Sequence, residues 1–510
     1  MYPIKDCIER YKKKERNNKG ICKEDIGVLN PSTITEKVPN HCFGIWQIQL
    51  SVNIFYKTHC GFRGIASCYK ELHLFINIDT VSYGCIRQWI LRLGLGLLQE
   101  PIEKRNDWIY IIDFSIQLGR ERCLLILGVT RQSLVENGYE LTHKQVRVLD
   151  IYVREHFEGE LVYERLNTTM QKTGKPYQII SDAGNDVRKG IELSCTENKS
   201  IIPTYDITHM IGVVLKSYLE KDERWLSLQE DLLSVTQQVK QTEMSFLRPI
   251  ALSKKARWLN ISKEIEWMED IYKYKEKSDF SLISSGFKIE NSNEIFDMLQ
   301  CKCKNKYEQK HLAKELKERK FENKETLVEW LKGKGIINAD NIKIIDAGRA
   351  RFEEKFSILD KHKEFFKELK QLNNIAESIK GIVRKEGLSL DTLQKIEMLY
   401  DEITYTGIKL IFNTINNNLQ IEHSKCGAEN VPLLCCSDII ESIFGKFKMK
   451  THQTVGGLYQ SVLVIVLICN EITPELIKNI LSKVKMTDVE QWFLSMSGIS
   501  NLAKRKMAFK

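Results

Sequence analysis

The chain has 510 residues, of which 43% are hydrophobic and 28% charged, and its formal net charge is +9. This composition is typical of a globular protein and excludes a disordered chain, and the length predicts several domains. The ends are basic, with a net charge of +5 over residues 1–109 and +6 over residues 442–510, which favours either DNA contact or a lysine-rich solvated surface.

The sequence contains no apolar run long enough to span a membrane, and the longest, Val462–Cys469, is better explained as a buried helix. Because Met1–Lys14 lacks the apolar segment of a signal peptide, we expect the 14 cysteines to be reduced thiols in a cytoplasm. Zinc could be bound by His41, Cys42, His59 and Cys60, although their spacing matches no common zinc finger. Zinc binding by these residues therefore stays an open question.

Residues 1–106 are predicted to form an N-terminal DNA-binding region. A helix-turn-helix is expected near residues 70–94, since the apolar residues after Val81 recur at helical spacing. Arg87, Gln88 and Arg92 fall on its exposed positions, where they would contact phosphates and base edges. An ordinary amphipathic helix is the alternative.

Residues 107–222 alternate short apolar runs with helical patterns. Five runs are predicted to be strands: Trp108–Ile112, Arg122–Val129, Val148–Val153, Tyr177–Ile180 and Ile201–Tyr205. Helices are predicted after the third, fourth and fifth: Glu160–Thr173, Gly184–Glu192 and Asp206–Leu219. The order β-β-β-α-β-α-β-α is that of an RNase H-like core, so we predict the first part of a mixed α/β sheet domain here.

Residues 223–430 are predicted to be a large all-helical insertion, because the chain has no proline between Ile250 and Val431. A coiled-coil partner surface is an open alternative. Arg257, at the start of one helix, is expected to face the DNA backbone. Residues 431–510 are predicted to be the second part of the core, with a basic C-terminal tail.

Three acidic residues are candidates for metal binding. Asp113 and Asp182 each follow an apolar strand, where a carboxylate is costly to bury unless it is paired or bound to a metal. Two such carboxylates on one sheet can share a pair of Mg²⁺ ions. A strand-terminal Asp is more often a turn former or helix cap. Glu441 lies at the edge of a helix with an apolar face, where most glutamates are solvated.

Three segments in this order, IIDFSIQLG, IISDAGNDVRKG and DIIESIFGKFK, resemble the Asp-Asp-Glu (DDE) motif of bacterial insertion-sequence transposases. The resemblance implies an RNase H-like catalytic core in which Asp113, Asp182 and Glu441 are catalytic and hold two Mg²⁺ ions, which Mn²⁺ can replace. It also implies a helical insertion before the helix that carries the Glu, as several branches of this superfamily have.

A further segment, Tyr-Asp-Ile-Thr-His, resembles the Cys/Asp-x-x-His element of hAT-type transposases, which implies supporting roles for Asp206 and His209. In one bacterial group a DNA-contacting Lys follows the Glu by seven residues, and Lys448 occupies that position here. That group also has an Arg and a Tyr before the Glu, where this chain has Ser437 and Leu434.

The resemblance therefore implies a DNA transposase that cleaves transposon ends and transfers the strands into target DNA. Its expected partner is double-stranded DNA, on which it would assemble as a homo-oligomer in the nucleoid of a prokaryotic cell. Two alternatives stay open. One is an RNase H-like nuclease without strand transfer, and the other is a domesticated transposase that only binds DNA.

Overall fold

The structure is a computed structural model that describes residues 36–58, 60–75, 78–118, 121–250, 261–277, 279–290, 295, 303–335, 342–426, 431–451, 461–496 and 501–509. The chain divides into two compact units. Unit 1 comprises Met1–Asp206 and Leu433–Lys510, and unit 2 comprises Ile207–Pro432. Unit 2 is therefore inserted in sequence between the two parts of unit 1.

The helices and strands of the described residues are numbered here in chain order. Three helices come first: α1 Ile45–Lys57, α2 Phe62–Phe75 and α3 Tyr83–Gln99. The sheet segment follows: β1 Trp108–Leu118, β2 Glu121–Thr130, α4 Arg131–Glu136, β3 Arg147–Arg154, α5 Gly159–Thr173, β4 Gln178–Ser181, α6 Asn185–Glu197 and β5 Ile202–Tyr205. Unit 2 contains α7 Ile207–Leu219, α8 Glu223–Val239, α9 Ile261–Glu276, β6 Phe287–Ile289, α10 Lys306–Glu318, α11 Lys324–Gly333, β7 Ile344–Asp346, α12 Ala347–Phe356, α13 Lys363–Glu386, α14 Leu390–Met398 and α15 Thr406–Ser424. Unit 1 then resumes with α16 Asp438–Thr451, α17 Leu463–Ile468, α18 Pro474–Lys483, α19 Met486–Met496 and α20 Asn501–Ala508.

The first five strands form one mixed sheet in the order β3-β2-β1-β4-β5. Strands β1, β2 and β3 are joined antiparallel, whereas β4 runs parallel to β1 and β5 parallel to β4. The five predicted strands are thus present, and a mixed five-stranded sheet flanked by helices is consistent with the RNase H-like core expected from the sequence.

Strand β1 is apolar at every position from Trp108 to Ile112 because both faces of the sheet are covered. Tyr110 and Ile112 pack into a core with α5 and α6, whereas Ile109 and Ile111 pack into the other core. That second core combines residues of α1, α2 and α3 with residues of α16, α17 and α18. The N-terminal and C-terminal helices of unit 1 therefore cover the same face of the sheet.

The helix-turn-helix expected near residues 70–94 does not provide a free recognition helix. Helix α3 is 17 residues long and is capped by Ser82, whose side chain accepts a hydrogen bond from the Cys85 amide. From Trp89 to Leu97 almost every side chain is buried, and the helix packs against α17, α18 and α19. Its apolar residues recur at helical spacing because they fill a core, and its exposed side chains are confined to its two ends.

Unit 2 is mostly helical, but the expectation of an all-helical insertion is wrong. Strands β6 and β7 pair antiparallel, with Phe287 opposite Asp346 and Ile289 opposite Ile344. A small core covers this pair, and its buried members include Phe321, Leu327 and Leu331. The absence of proline removes a helix breaker but does not select helix, and short runs of aromatic and β-branched residues favour strands.

No helix among the described residues has the length and apolar character needed to cross a membrane.

Candidate active site at the carboxyl edge of the sheet

Three aspartates lie at equivalent positions along three neighbouring parallel strands. Ile112 of β1 pairs with Ser181 of β4, and Ser181 pairs with Tyr205 of β5. Asp113, Asp182 and Asp206 are each the next residue along the chain. Since neighbouring strands lie about 4.8 Å apart, the three acidic residues occupy one edge of the sheet.

The structure corrects one detail of the expectation for Asp113, which does not end its strand. Strand β1 continues to Leu118 and pairs with β2 beyond the point where β4 ends, so Asp113 lies opposite Leu125 inside this hairpin. Along β1, Ile112 and Phe114 face the core with α5 and α6, so the alternation of side chains directs half-buried Asp113 to the opposite face. Helix α16 packs against β1 on that face.

Asp182 is held by a tight turn between β4 and α6. Its Oδ1 accepts a hydrogen bond from the Gly184 amide at 3.0 Å, and Ala183 between them has a positive φ of 55°. Gly184 is the N-cap of α6. The turn-forming role that the sequence left as an alternative is therefore present, and it fixes a half-buried carboxylate at the sheet edge.

Asp206 is 1% exposed and holds the start of α16. Its Oδ2 accepts hydrogen bonds from the backbone amide of Ser437 at 2.6 Å and from the Ser437 hydroxyl at 2.8 Å. His209 lies in the first turn of α7, is half-buried, and belongs to unit 2.

The chain just before α16 is also bound to the sheet through side chains. The buried Gln178 amide donates to the Leu434 carbonyl at 2.6 Å, and its oxygen accepts from the Leu434 amide at 3.3 Å. The Thr204 hydroxyl donates to the same carbonyl at 3.3 Å. Residues 434–437 therefore rest against β4 and β5.

Helix α16 carries Glu441 in its first turn, on the exposed side. The opposite side of the helix is buried in the core that also contains Ile111 of β1, and the residues it contributes are Ile439, Ile440, Ile443, Phe444 and Phe447. The described residues also form one compact group of potential metal ligands, in which single atoms of Asp206, Cys436 and Asp438 lie within 4.8 Å of one another.

The proposed DNA-contacting residues lie in different surroundings. Gln88 and Lys448 are exposed and Arg87 is half-buried, whereas Arg257 lies outside the described residues. The expectation that Arg92 faces outward is wrong, because its guanidinium donates to the carbonyls of Leu481 and Val484, each at 2.6 Å. An arginine beside the end of a packed helix satisfies carbonyls that the helix leaves unpaired.

His41, one of the possible zinc ligands, contacts the guanidinium of Arg92 through Nε2 at 3.2 Å. Burial, and then the charge of Arg92, lower the pKa of His41 from its usual value.

Sequence reasoning missed Gln178 and the function of Ser437. A glutamine inside the otherwise apolar run Tyr177–Ile180 was the available signal, because a buried amide needs partners on both its oxygen and its nitrogen.

A cavity of about 590 Å³ in unit 1 lies beside β3, at the other side of the sheet. Its wall includes Tyr152, Lys172, Trp492 and the ion pair of Asp150 with Arg165, whose shorter contact is 2.5 Å. None of the three edge aspartates lines this cavity.

No family model matches the chain, and no curated protein matches it. Among solved structures, the chain is similar to the Drosophila P element transposase in its strand transfer complex. That match covers 93% of this chain and 98% of the other, with 11% sequence identity and a TM-score of 0.35.

Proposed function

We propose that the chain is a metal-dependent DNA transposase of the DDE type, with Asp113, Asp182 and Glu441 as its catalytic carboxylates. The observation that carries the proposal is the placement of Asp113 and Asp182 one residue beyond paired positions of adjacent parallel strands. Helix α16, which bears Glu441, packs on the face of the sheet toward which Asp113 is directed.

The chemistry of these donors fits Mg²⁺ or Mn²⁺. Both metals prefer carboxylate and water oxygens, and all three residues offer carboxylates. The neighbouring group of Asp206, Cys436 and Asp438 fits Mg²⁺ less well, since a thiol suits softer metals and Asp206 is already hydrogen-bonded to Ser437. A bound pair of Mg²⁺ ions would activate the attacking oxygen and stabilise the leaving oxygen during in-line displacement at phosphorus.

The residues of the chain would then supply position and charge. The β1–β2 hairpin fixes Asp113, and the hydrogen bond from the Gly184 amide orients Asp182. Lys448, exposed on α16 seven residues after Glu441, would contact a DNA phosphate. Water and then a DNA 3′-OH serve as nucleophiles, so no covalent protein–DNA intermediate is needed. We further propose that the partner is double-stranded DNA and that the chain assembles on it as a homo-oligomer.

The first prediction tests the catalytic carboxylates. Asp182→Asn keeps the shape of the side chain but removes a metal-binding charge, so we expect the cleavage rate with Mg²⁺ to fall about 10³-fold or more. Glu441→Gln should have a similar effect, whereas DNA binding should persist because Lys and Arg contact the phosphates. The measurements are single-turnover cleavage and a gel shift on the DNA ends that flank the gene.

Asp186→Asn is the matched control, since Asp186 lies four residues from Asp182 and forms a half-exposed ion pair with Arg122. Cleavage by Asp182→Asn at the wild-type rate would refute the catalytic assignment. If Glu441→Gln is active and Asp438→Asn is not, the third carboxylate is Asp438. The same reactions decide among functions, because joined products indicate a transposase, cleavage alone a nuclease, and binding alone a DNA-binding protein.

A further inference from the structure

A set of buried side chains, which we name the clasp, joins the segment before α16 to the sheet. It consists of Gln178, Thr204 and Asp206, which bind the backbone of Leu434 and both the backbone and hydroxyl of Ser437. The three sheet side chains are 0%, 5% and 1% exposed. Asp206 is the last residue before unit 2, and Leu434 is the second residue after it.

The clasp replaces a backbone ladder with side-chain hydrogen bonds. Residues 434–437 are not part of any strand, yet the amide of Gln178 binds both the N–H and the carbonyl of Leu434, as a neighbouring strand would. At Ser437 the acceptor is a carboxylate, which makes the two hydrogen bonds charge-assisted and therefore stronger than neutral ones.

The position of α16 depends directly on Ser437. The Ser437 carbonyl accepts a hydrogen bond from the Ile440 amide at 2.9 Å, so the residue that Asp206 holds is also the residue on which the first turn of the helix closes. Glu441 is the next residue after Ile440. A shift of Ser437 would thus move Glu441 with respect to Asp113 and Asp182.

We propose that the clasp fixes the start of α16 on the sheet, so that Asp206 and Gln178 are positioning residues for the Glu441 carboxylate. The expected effect on cleavage rests on the proposed function. That the clasp holds the start of α16 on the sheet rests on the hydrogen bonds alone. Asp206 acts through its oxygen as an acceptor for Ser437.

A rival assignment makes Asp206 a metal ligand together with Cys436 and Asp438. The two assignments differ at Asp206→Asn. An asparagine oxygen accepts both hydrogen bonds of Ser437, so the positioning role survives, whereas a ligand that loses its charge does not. Asp206→Ala removes both roles.

The test combines hydrogen exchange with cleavage by the full chain. In Asp206→Ala, we expect the amides of Ser437 and Ile440 to exchange about 10- to 100-fold faster, because a hydrogen bond to a charged acceptor is lost. Asp206→Asn should change exchange by less than about 5-fold. Ser437→Ala keeps its backbone hydrogen bond and should give an intermediate rate, which preserves the test if Asp206→Ala fails to fold. Glu160→Ala, an exposed carboxylate on the other face of the sheet, is the control.

The rate of cleavage with Mg²⁺ should fall at least about 10-fold in Asp206→Ala and return to near the wild-type rate in Asp206→Asn. Neither substitution should change DNA binding.

Unchanged hydrogen exchange in both Asp206→Ala and Ser437→Ala would overturn the clasp, whatever the activity. Faster exchange with normal cleavage would overturn the positioning role, and inactive Asp206→Asn with normal exchange would favour the metal-ligand role. If the wild type does not cleave DNA, the proposed function fails, and the exchange data alone decide whether the clasp holds α16.

Discussion

His143 and Lys446, more than 300 residues apart in sequence, meet at the surface of unit 1. Lys446 Nζ lies 3.3 Å from His143 Nδ1, and Ser442 Oγ lies 3.4 Å from His143 Nε2. Burial, and then the positive charge of Lys446, lower the pKa of His143 from its usual value. Since an ammonium can only donate, Nδ1 is the acceptor and the neutral imidazole carries its proton on Nε2.

We expect Lys446→Met to raise the pKa of His143 toward, but not to, the ordinary value near 6.5, because burial still opposes the charged ring. In the wild type the unfolded chain binds this proton more readily than the folded one, so His143 reduces stability as the pH falls below about 6.5. An NMR titration of the ring and urea unfolding at several pH values measure both effects. Lys144→Met is the control, and an unchanged His143 pKa in Lys446→Met would contradict the contact.

Residue type and position predicted that Asp113 and Asp182 lie on one sheet, but they did not predict the buried polar contacts. Asp113 and Asp182 were recognisable because each follows a run of apolar residues. Arg92 was not, since an arginine at an apparently exposed helical position can reach carbonyls of a helix nearly 400 residues later. Gln178 contacts Leu434 and Asp206 contacts Ser437, and each pair is separated by more than 200 residues in sequence. No local sequence pattern predicts such contacts.

Helix α3 packs unusually closely against α17 and α18 in the core of unit 1. A Cβ atom added to Gly94 would lie 2.5 Å from the carbonyl oxygen of Leu463 in α17, and one added to Gly96 would lie 2.2 Å from the side chain of Ile480 in α18. Glycine permits this approach because it has no side chain, although it is an unfavourable residue inside a helix.

Gly94→Ala should therefore destabilise unit 1 by about 1–3 kcal/mol, because the new methyl group meets backbone that cannot move alone. Gly445→Ala in α16 is the matched control, since nothing lies within 4 Å of its added Cβ, and it should stabilise the helix by about 0.5–1 kcal/mol. Chemical denaturation followed by circular dichroism measures both changes. Equal effects of the two substitutions would argue against the close packing of α3 on α17.

Where apolar residues recur at regular spacing, most ends of the strands and helices were predicted to within one or two residues. The run Val148–Val153 became β3 at Arg147–Arg154, and Glu160–Thr173 became α5 at Gly159–Thr173. Strands β6 and β7 were missed because three residues are too few to show a period of two. Strand β1 extends five residues beyond Asp113 because β2 continues to pair with it, and pairing partners are not local information.

In the molecule as a whole, the core of unit 1 depends on segments from both ends of the chain. The buried face of α16 contributes five large apolar side chains to the core with β1, and complete burial of each stabilises by about 1.5–3 kcal/mol. Their sum is comparable to the whole stability of a typical domain, about 5–15 kcal/mol.

A chain that ends at Pro432 should accordingly leave residues 36–206 unable to fold, although those residues contain the complete sheet. Unit 2 has buried residues of its own, including Phe352, Leu369 and Phe412, and should remain folded. Limited proteolysis followed by mass spectrometry checks this: we expect a protected fragment within Ile207–Pro432 and rapid digestion of the sheet segment. Protection of residues 108–205 in the shortened chain would contradict the shared core.

The insertion of unit 2 between β5 and α16 also delays the completion of unit 1 during translation. At about 5–20 residues per second, a ribosome needs roughly ten to fifty seconds to pass from Asp206 to Ser437. For that interval one apolar face of the nascent sheet lacks the part of its cover that α16, α17 and α18 supply, and Asp206 has no serine to hold. Helix α16 cannot join the sheet until most of the chain has been made, so a chaperone that shields this face during translation should raise the yield of folded protein.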